Sequence, residues 1–262
     1  MKIRSPFFLI SHTLKAVRKG RTTTLTAPPS KIVQNNVFCK PFATFIRETL
    51  LARLQTGAIS LVGKVGQATP PFLELPLTVE PSKPILCHDA RFLNLWMLDK
   101  SFSLDRIADA PRYVTKHSYQ TVLDDKSGYD HVLLSEESRT YFGIQWGGWY
   151  FMYNTLPFGW MISPYVYHSI GISVSSYLRT LGIPCLLYIE DRHNGQLQVD
   201  LNKGEYVGLR TLEEKNFAAA KSAIFLTAFH LIRLGYFLRL SKSILKPCQI
   251  VPYLGFLLDS NS

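Results

Sequence analysis

The chain has 262 residues, 47% of them hydrophobic and 18% charged, which excludes an intrinsically disordered chain and leaves room for one large or two smaller folded domains. Its 29 Lys and Arg against 19 Asp and Glu give a formal net charge of +10, a surplus that points to a polyanionic partner such as nucleic acid, an anionic membrane face or an acidic protein. Cys39, Cys87, Cys185 and Cys248 stand apart, with no C-x-x-C pair and no zinc-type spacing to histidine, so reduced thiols in an intracellular protein, cytoplasmic or nuclear, are expected.

The first acidic residue is Glu48, and every charge before it, from Lys2 to Arg47, is basic. Residues 1–40 read as a basic, unstructured tail with RTTTLTAPPSK as a linker. A nucleic-acid-binding arm, a mitochondrial targeting segment and a solvated tail of no special function are equal readings of it. From Pro41 the pattern turns globular. Phe45, Leu50, Leu51 and Leu54 mark the apolar side of a helix that stops at Gly57, and Gly63 to Pro84 reads as short strands and loops. Thr121-Val122-Leu123 is a short strand ending in Asp124-Asp125. Tyr141–Gln145 and Trp149–Tyr153 form a hairpin through Gly147-Gly148. Ser163-Pro164 caps a helix that ends near Gly182. Cys185–Ile189 is a buried strand that runs into Glu190-Asp191 and out through Asn194-Gly195 to Gln196–Val199, a second hairpin with acids at its tip. Glu213–Leu234 is a long helix closed by Gly235, and Tyr253–Leu258 a last short strand. The expected class is α+β, an antiparallel sheet covered by helices. The uncharged stretch between Arg139 and Arg179 is interrupted by Gly147, Gly148, Asn154, Pro157, Pro164 and His168, so no membrane span is expected.

Two acidic pairs, Asp124-Asp125 and Glu190-Asp191, each follow a hydrophobic strand. If the strands are neighbours, their tips gather hard oxygen ligands of the kind that hold Mg²⁺, and two such ions can activate a 3′-hydroxyl and stabilise a leaving pyrophosphate. Ordinary polar turn residues are the other reading of the same spacing.

The surrounding words separate these readings. Leu156-Pro157-Phe158-Gly159-Trp160-Met161-Ile162-Ser163-Pro164 resembles the LPFG-x-x-x-SP signature of retroelement reverse transcriptases. KPILCHDARFLN (Lys83 to Asn94) is similar to their fingers motif, and LDDKSGYDH (Leu123 to His131) to the motif of the first metal-binding aspartate. YIEDRHNG (Tyr188 to Gly195) stands where the family has its Y-x-D-D hairpin. LGYFLRLSKS (Leu234 to Ser243) and Tyr253-Leu254-Gly255-Phe256 resemble the following lysine motif and the primer-grip hairpin. The K-S-G-Y and D-R-H wording is closest to the DIRS-like class of tyrosine-recombinase retrotransposons. Motifs in this order over roughly 42–260 form a strong signal where any one is weak.

The resemblance implies a right-hand polymerase palm with a fingers subdomain (fingers mainly 41–115, palm 116–262), no thumb, and template-directed deoxynucleotide transfer by two-metal catalysis with Mg²⁺ or Mn²⁺. Its partners would be an RNA template, an RNA–DNA hybrid and deoxynucleoside triphosphates. It implies Asp124, Glu190 and Asp191 as catalytic metal ligands, with Asp125 lending mainly its main-chain carbonyl to an ion. Lys242 would donate a proton to pyrophosphate; a solvated lysine is the alternative. Lys83, Arg91, Asp125, Tyr129, Phe158 and Gly159 would line the nucleotide site, Tyr129 excluding a 2′-hydroxyl; a core ring for Tyr129 and an Arg91–Asp89 ion pair are equal readings. Two departures stand out. Glu190 replaces the family's aspartate and moves the carboxylate by about 1 Å, a misplacement worth about a hundredfold in rate. Ile85 stands where many relatives have an arginine against the triphosphate. An inactive nucleic-acid-binding remnant is therefore the second expected function.

Overall fold

The computed structural model describes residues 28–82, 84–198, 208 and 211–262. Most of the expected basic tail, and most of its linker, lie outside the described residues. In chain order the elements begin with β1 (Lys31–Ile32), α1 (Ala43–Thr56), β2 (Ile59–Lys64), β3 (Leu73–Glu74), β4 (Leu77–Glu80), β5 (Ile85–His88) and α2 (Arg91–Asn94). They continue with β6 (Gln120–Asp124), α3 (Glu136–Arg139), β7 (Gly143–Trp146), β8 (Trp149–Tyr153) and α4 (Ser163–Thr180). The last are β9 (Cys185–Tyr188), β10 (Asp191–Asn194), α5 (Leu212–Arg233), β11 (Ile244–Cys248), β12 (Ile250–Tyr253) and β13 (Phe256–Asp259). The α+β expectation matches this element content.

Two compact units share these elements: one holds Phe102–Gly128 and Val166–Ser262, the other the described residues through Ser101 together with Tyr129–Tyr165. A division at residue 115 would part 129–165 from 41–101. Pairing of β8 with β2 and of β7 with β3 keeps them in one unit.

In the first unit, β11, β6, β10 and β9 make an antiparallel sheet in that order. β6 is buried at every position, as suits a central strand covered on both faces. Val122 and Leu186 join Ala110, Val251 and Tyr253 in one buried cluster. α5 opens with a reciprocal capping box: Glu214 N–H donates to Thr211 Oγ1 at 3.1 Å, and Thr211 N–H to Glu214 Oε2 at 2.9 Å. It buries Ala219, Ala220 and Ala223, small residues that let the helix lie close to its neighbours.

The second unit is built on the sheet β1-β3-β7-β8-β2 and the ribbon β4-β5. Gly147 (φ 59°) and Gly148 (φ 80°) turn the expected β7–β8 hairpin, with Trp146 opposite Trp149, a tight turn whose two positive φ values select glycine. α1 ends at Gly57 in the left-handed conformation (φ 74°) as its sequence implies, but its buried residues are Ile46 and Leu50 and Leu51 faces solvent.

Two hairpins differ from expectation. The return strand after the acids is Asp191–Asn194 rather than Gln196–Val199, because the chain reverses at once through Ile189 (φ 56°) and Glu190; Gln196–Gln198 form no strand and Val199 lies outside the described residues. The final segment, read locally as one strand over Tyr253–Leu258, is a hairpin, β12–β13, turned by Leu254 (φ 49°) and Gly255 (φ 81°), which is the shape that the resemblance of Tyr253-Leu254-Gly255-Phe256 implies. Among the described residues no helix is long and apolar enough to cross a membrane.

Candidate active site

β6 and β10 are antiparallel neighbours in a register that sets Asp191 directly opposite Asp124. The Asp125 N–H donates to Glu190 O at 3.0 Å, carrying the pairing one residue past the strand ends. The acids expected at the tips of two strands thus meet at one edge of the first unit. Burial pushes the Glu190 carboxyl up to about 6; a hydrogen bond from the Gly128 N–H opposes this, and the Asp125 and Asp124 charges add to it. Asp191 is raised by burial and by Asp124, with Lys242 acting against it. In both carboxyls burial is the larger cause and the neighbouring acids add to it, each effect disfavouring the charged form.

Cations approach the same point. Arg239 Nη1 lies 3.4 Å from Asp124 Oδ1 and Lys242 Nζ 3.9 Å from Asp124 Oδ2. The Lys242 side chain is half exposed, so this contact is a loose one in high dielectric. Asp124 Oδ1 is buried and accepts no hydrogen bond among the described residues. Glu190 is differently engaged: its Oε1 accepts the Gly128 N–H at 3.1 Å. Its longer side chain therefore ties the turn that contains Ser127 (φ 54°). Among the described residues no group of three or more His, Cys, Asp or Glu side chains stands placed to hold a metal ion.

The neighbouring residues face the other way. Side chains alternate along a strand, so Asp125 and Arg192 point away from the face that carries Asp124 and Asp191. Both are buried, with Arg192 Nη2 3.3 Å from Asp125 Oδ2 and Nε 3.4 Å from Oδ1. The Tyr167 hydroxyl donates to Asp125 Oδ2 at 2.7 Å. The Asp125 carboxylate is committed to these partners, which leaves its main chain as the part it can offer an ion.

Of the other expected residues, Lys83 lies outside the described residues, and the rest are in the second unit. Arg91 is exposed and makes a forked ion pair with Asp89, Nη2 at 2.6 Å and Nε at 2.8 Å from its oxygens. That geometry is the ion pair read as an equal alternative from sequence. Arg91 and Asp89 also line a cleft of about 360 Å³ with Lys31, Pro76 and Phe92. The Tyr129 and Phe158 rings face each other at 6.2 Å. The Phe158-Gly159 turn is docked on β5: the His88 N–H donates to Phe158 O at 2.9 Å, and Asn94 Nδ2 to Gly159 O at 3.2 Å. A Cβ on Gly159 (φ 117°) would fall 2.0 Å from His88 O. The LPFG and D-x-R-x-L-N words, 65 residues apart at Asn94 and Gly159, are thus one structural piece.

Arg192, Tyr167, Tyr236 and Arg239 were not singled out in the sequence. The sequence carries little signal for Arg192, because its strand, Asp191–Asn194, is itself set by tertiary pairing; once the arginine is buried there, it needs a charged partner.

No family profile and no curated protein matches the chain. Solved structures do. The foamy viral protease-reverse transcriptase in complex with double-stranded DNA matches with a TM-score of 0.66 and 16% identity, covering 95% of this chain and 38% of that one. The same viral protein in complex with an RNA/DNA hybrid matches with a TM-score of 0.66 and 17% identity over 90% of this chain and 28% of that one. The native protease-reverse transcriptase of prototype foamy virus matches with a TM-score of 0.60, 18% identity and 89% coverage. The chain thus spans well under two thirds of these proteins. At these identities the likeness shows the fold, which is reverse-transcriptase-like.

Proposed function

We propose that the chain is the fingers-and-palm part of an RNA-directed DNA polymerase of retrotransposon origin, nearest to the DIRS-like class, with binding retained and turnover impaired. The palm is assigned to the unit of Phe102–Gly128 and Val166–Ser262, and the fingers to the other. One observation carries the reading: Asp191 stands opposite Asp124 on paired strands, the arrangement a shared divalent-ion site requires. Mg²⁺ is usually held by one or two carboxylates together with substrate phosphates and water, so the missing three-residue cage does not argue against it. Asp124 Oδ1 is buried and accepts no hydrogen bond among the described residues, with the Arg239 guanidinium 3.4 Å away, so it keeps lone pairs that such a cation could take. Asp124, Asp191, Glu190 and the Asp125 main chain would hold the ions, which when bound lower the barrier to attack by a primer 3′-hydroxyl.

In the same proposal Lys242 supplies a proton beside Asp124. Tyr129, Phe158 and Gly159, with Lys83 and Arg91, contact nucleotide or template. The structural relatives in complex with double-stranded DNA and RNA/DNA hybrid support the partner class, as does the +10 charge.

Primer extension on an RNA template with Mg²⁺ or Mn²⁺ tests the reading. Incorporation well below that of an active polymerase is expected, rising when Glu190→Asp and Ile85→Arg are combined; wild-type-like extension by the unaltered chain would refute the impairment. A second reading, a nucleic-acid-binding remnant without catalysis, is favoured by the engagement of Glu190 with Gly128. It predicts no metal-dependent incorporation in either form.

A further inference from the structure

We propose that Arg192 is a positioning residue: paired with Asp125 on the buried face of the sheet, it fixes the strand ends whose opposite face carries Asp124 and Asp191. This rests on the reading of those two acids as metal ligands. Each partner of the buried pair directly follows one of them in the chain, so a shift of either strand would move an acid and its anchor together. The fork is two-pronged, with Nη2 at 3.3 Å and Nε at 3.4 Å from the Asp125 oxygens, and a planar fork fixes orientation as well as distance.

The surroundings hold both partners in place. Tyr167 on α4 donates to Asp125 Oδ2 at 2.7 Å. The Arg192 guanidinium lies 4.9 Å from the centroid of the Tyr236 ring, and its Nη1 is 3.5 Å from Ser175 Oγ. Two glycines make the room. A Cβ on Gly171 would come within 2.6 Å of Leu187 and 3.4 Å of Arg192 Nη2. One on Gly128 would strike the Tyr167 ring, and Gly128 is the residue whose N–H holds Glu190. Strand β6, its turn, helix α4 and strand β10 are therefore joined through a single charged pair. Packing alone does not call for it: a buried ion pair is often replaceable by apolar residues of similar volume without loss of stability. What an apolar pair cannot reproduce is the fixed angle between the two strand ends.

The test separates stability from position in the full chain. Asp125→Leu with Arg192→Met replaces the pair by apolar residues, and Asp125→Asn breaks it. Thermal unfolding, amide hydrogen exchange at 121–125 and 191–194 without metal, and Mn²⁺ affinity by electron paramagnetic resonance are compared with the parent. The double variant should melt near the parent and well above Asp125→Asn, yet exchange faster at those amides and bind Mn²⁺ about tenfold more weakly, the usual scale for loss of a residue that orients a ligand. A double variant equal to the parent in exchange and Mn²⁺ affinity would overturn the proposal. So would one that regains no stability over Asp125→Asn, since the pair would then be a stability element. If the parent binds no Mn²⁺, the metal reading of the acids falls, and the exchange data alone decide the positioning role. Should the double variant not fold, Arg192→Lys, which keeps the charge and loses the fork, is measured in its place by the same criteria.

Discussion

Gly159→Ala offers a direct test of how the second unit is held together. The new Cβ would lie 2.0 Å from His88 O and 3.1 Å from His88 C, at a φ of 117°. Neither atom belongs to a flexible side chain, so the Phe158-Gly159 turn must lift away from β5. Lifting it loses the hydrogen bond from the His88 N–H to Phe158 O, at 2.9 Å, and that from Asn94 to Gly159 O, at 3.2 Å. The unfavourable φ costs about 1–3 kcal/mol and each hydrogen bond about 1 kcal/mol. A loss of about 3–5 kcal/mol follows, or a fall in Tm of about 6–20 °C for a chain of this size. Gly147→Ala is the control: Gly147 also has a positive φ (59°), but its Cβ would meet nothing within 4 Å, so it bears only the backbone cost of about 1–2 kcal/mol. Thermal and urea unfolding followed by circular dichroism compare the two. If Gly159→Ala is no worse than Gly147→Ala, the close approach of the turn to β5 is not what stabilises this unit.

Glu190 should make stability pH-dependent. Its folded pKa of about 6 lies above its ordinary value of 4.5, so its contribution is full below pH 4.5 and is lost as pH rises through 6. Glu190→Gln keeps an acceptor for the Gly128 N–H and removes the titration; the variant should gain on the order of 1 kcal/mol on the parent between pH 4.5 and 7, allowing for partial exposure, and parallel melting curves would contradict this. Ile189→Gly should stabilise by about 1 kcal/mol, because a β-branched residue at a φ of 56° carries strain that glycine lacks; a lower Tm would show that the Ile189 side chain matters more than its backbone. Binding to an RNA–DNA hybrid should weaken steeply and log-linearly with salt, and a flat salt response in filter binding would point to protein contacts instead.

Much of the fold could be read locally. Gly57, Gly147-Gly148 and Gly235 end or turn elements where a positive φ is needed, and Thr211 with Glu214 writes its helix start in four residues. On α1 the expected Leu50 is buried, but Leu51 faces solvent and Ile46 takes the place beside Leu50, since periodicity gives a stripe but not its exact orientation toward neighbours. The 189–194 reversal is not legible in the sequence, because neither Ile189 nor Glu190 is a turn former by composition; tertiary pairing with β6 imposes it.

Sequence by itself determined which residue types could meet. Two acidic pairs after apolar strands, an LPFG turn and a D-x-R-x-L-N run each have a local chemistry, and their order carried the resemblance to reverse transcriptases. Only the tertiary structure decided which acid faces which. Register sets Asp124 against Asp191, and strand alternation then turns Asp125 inward to Arg192, 67 residues away. A strand's two faces are equivalent until it is packed, so what packs on each, here α4 with Tyr167 and Ser175 on one, is what divides four neighbouring charged residues into a pair locked together beneath that helix and a pair on the opposite face.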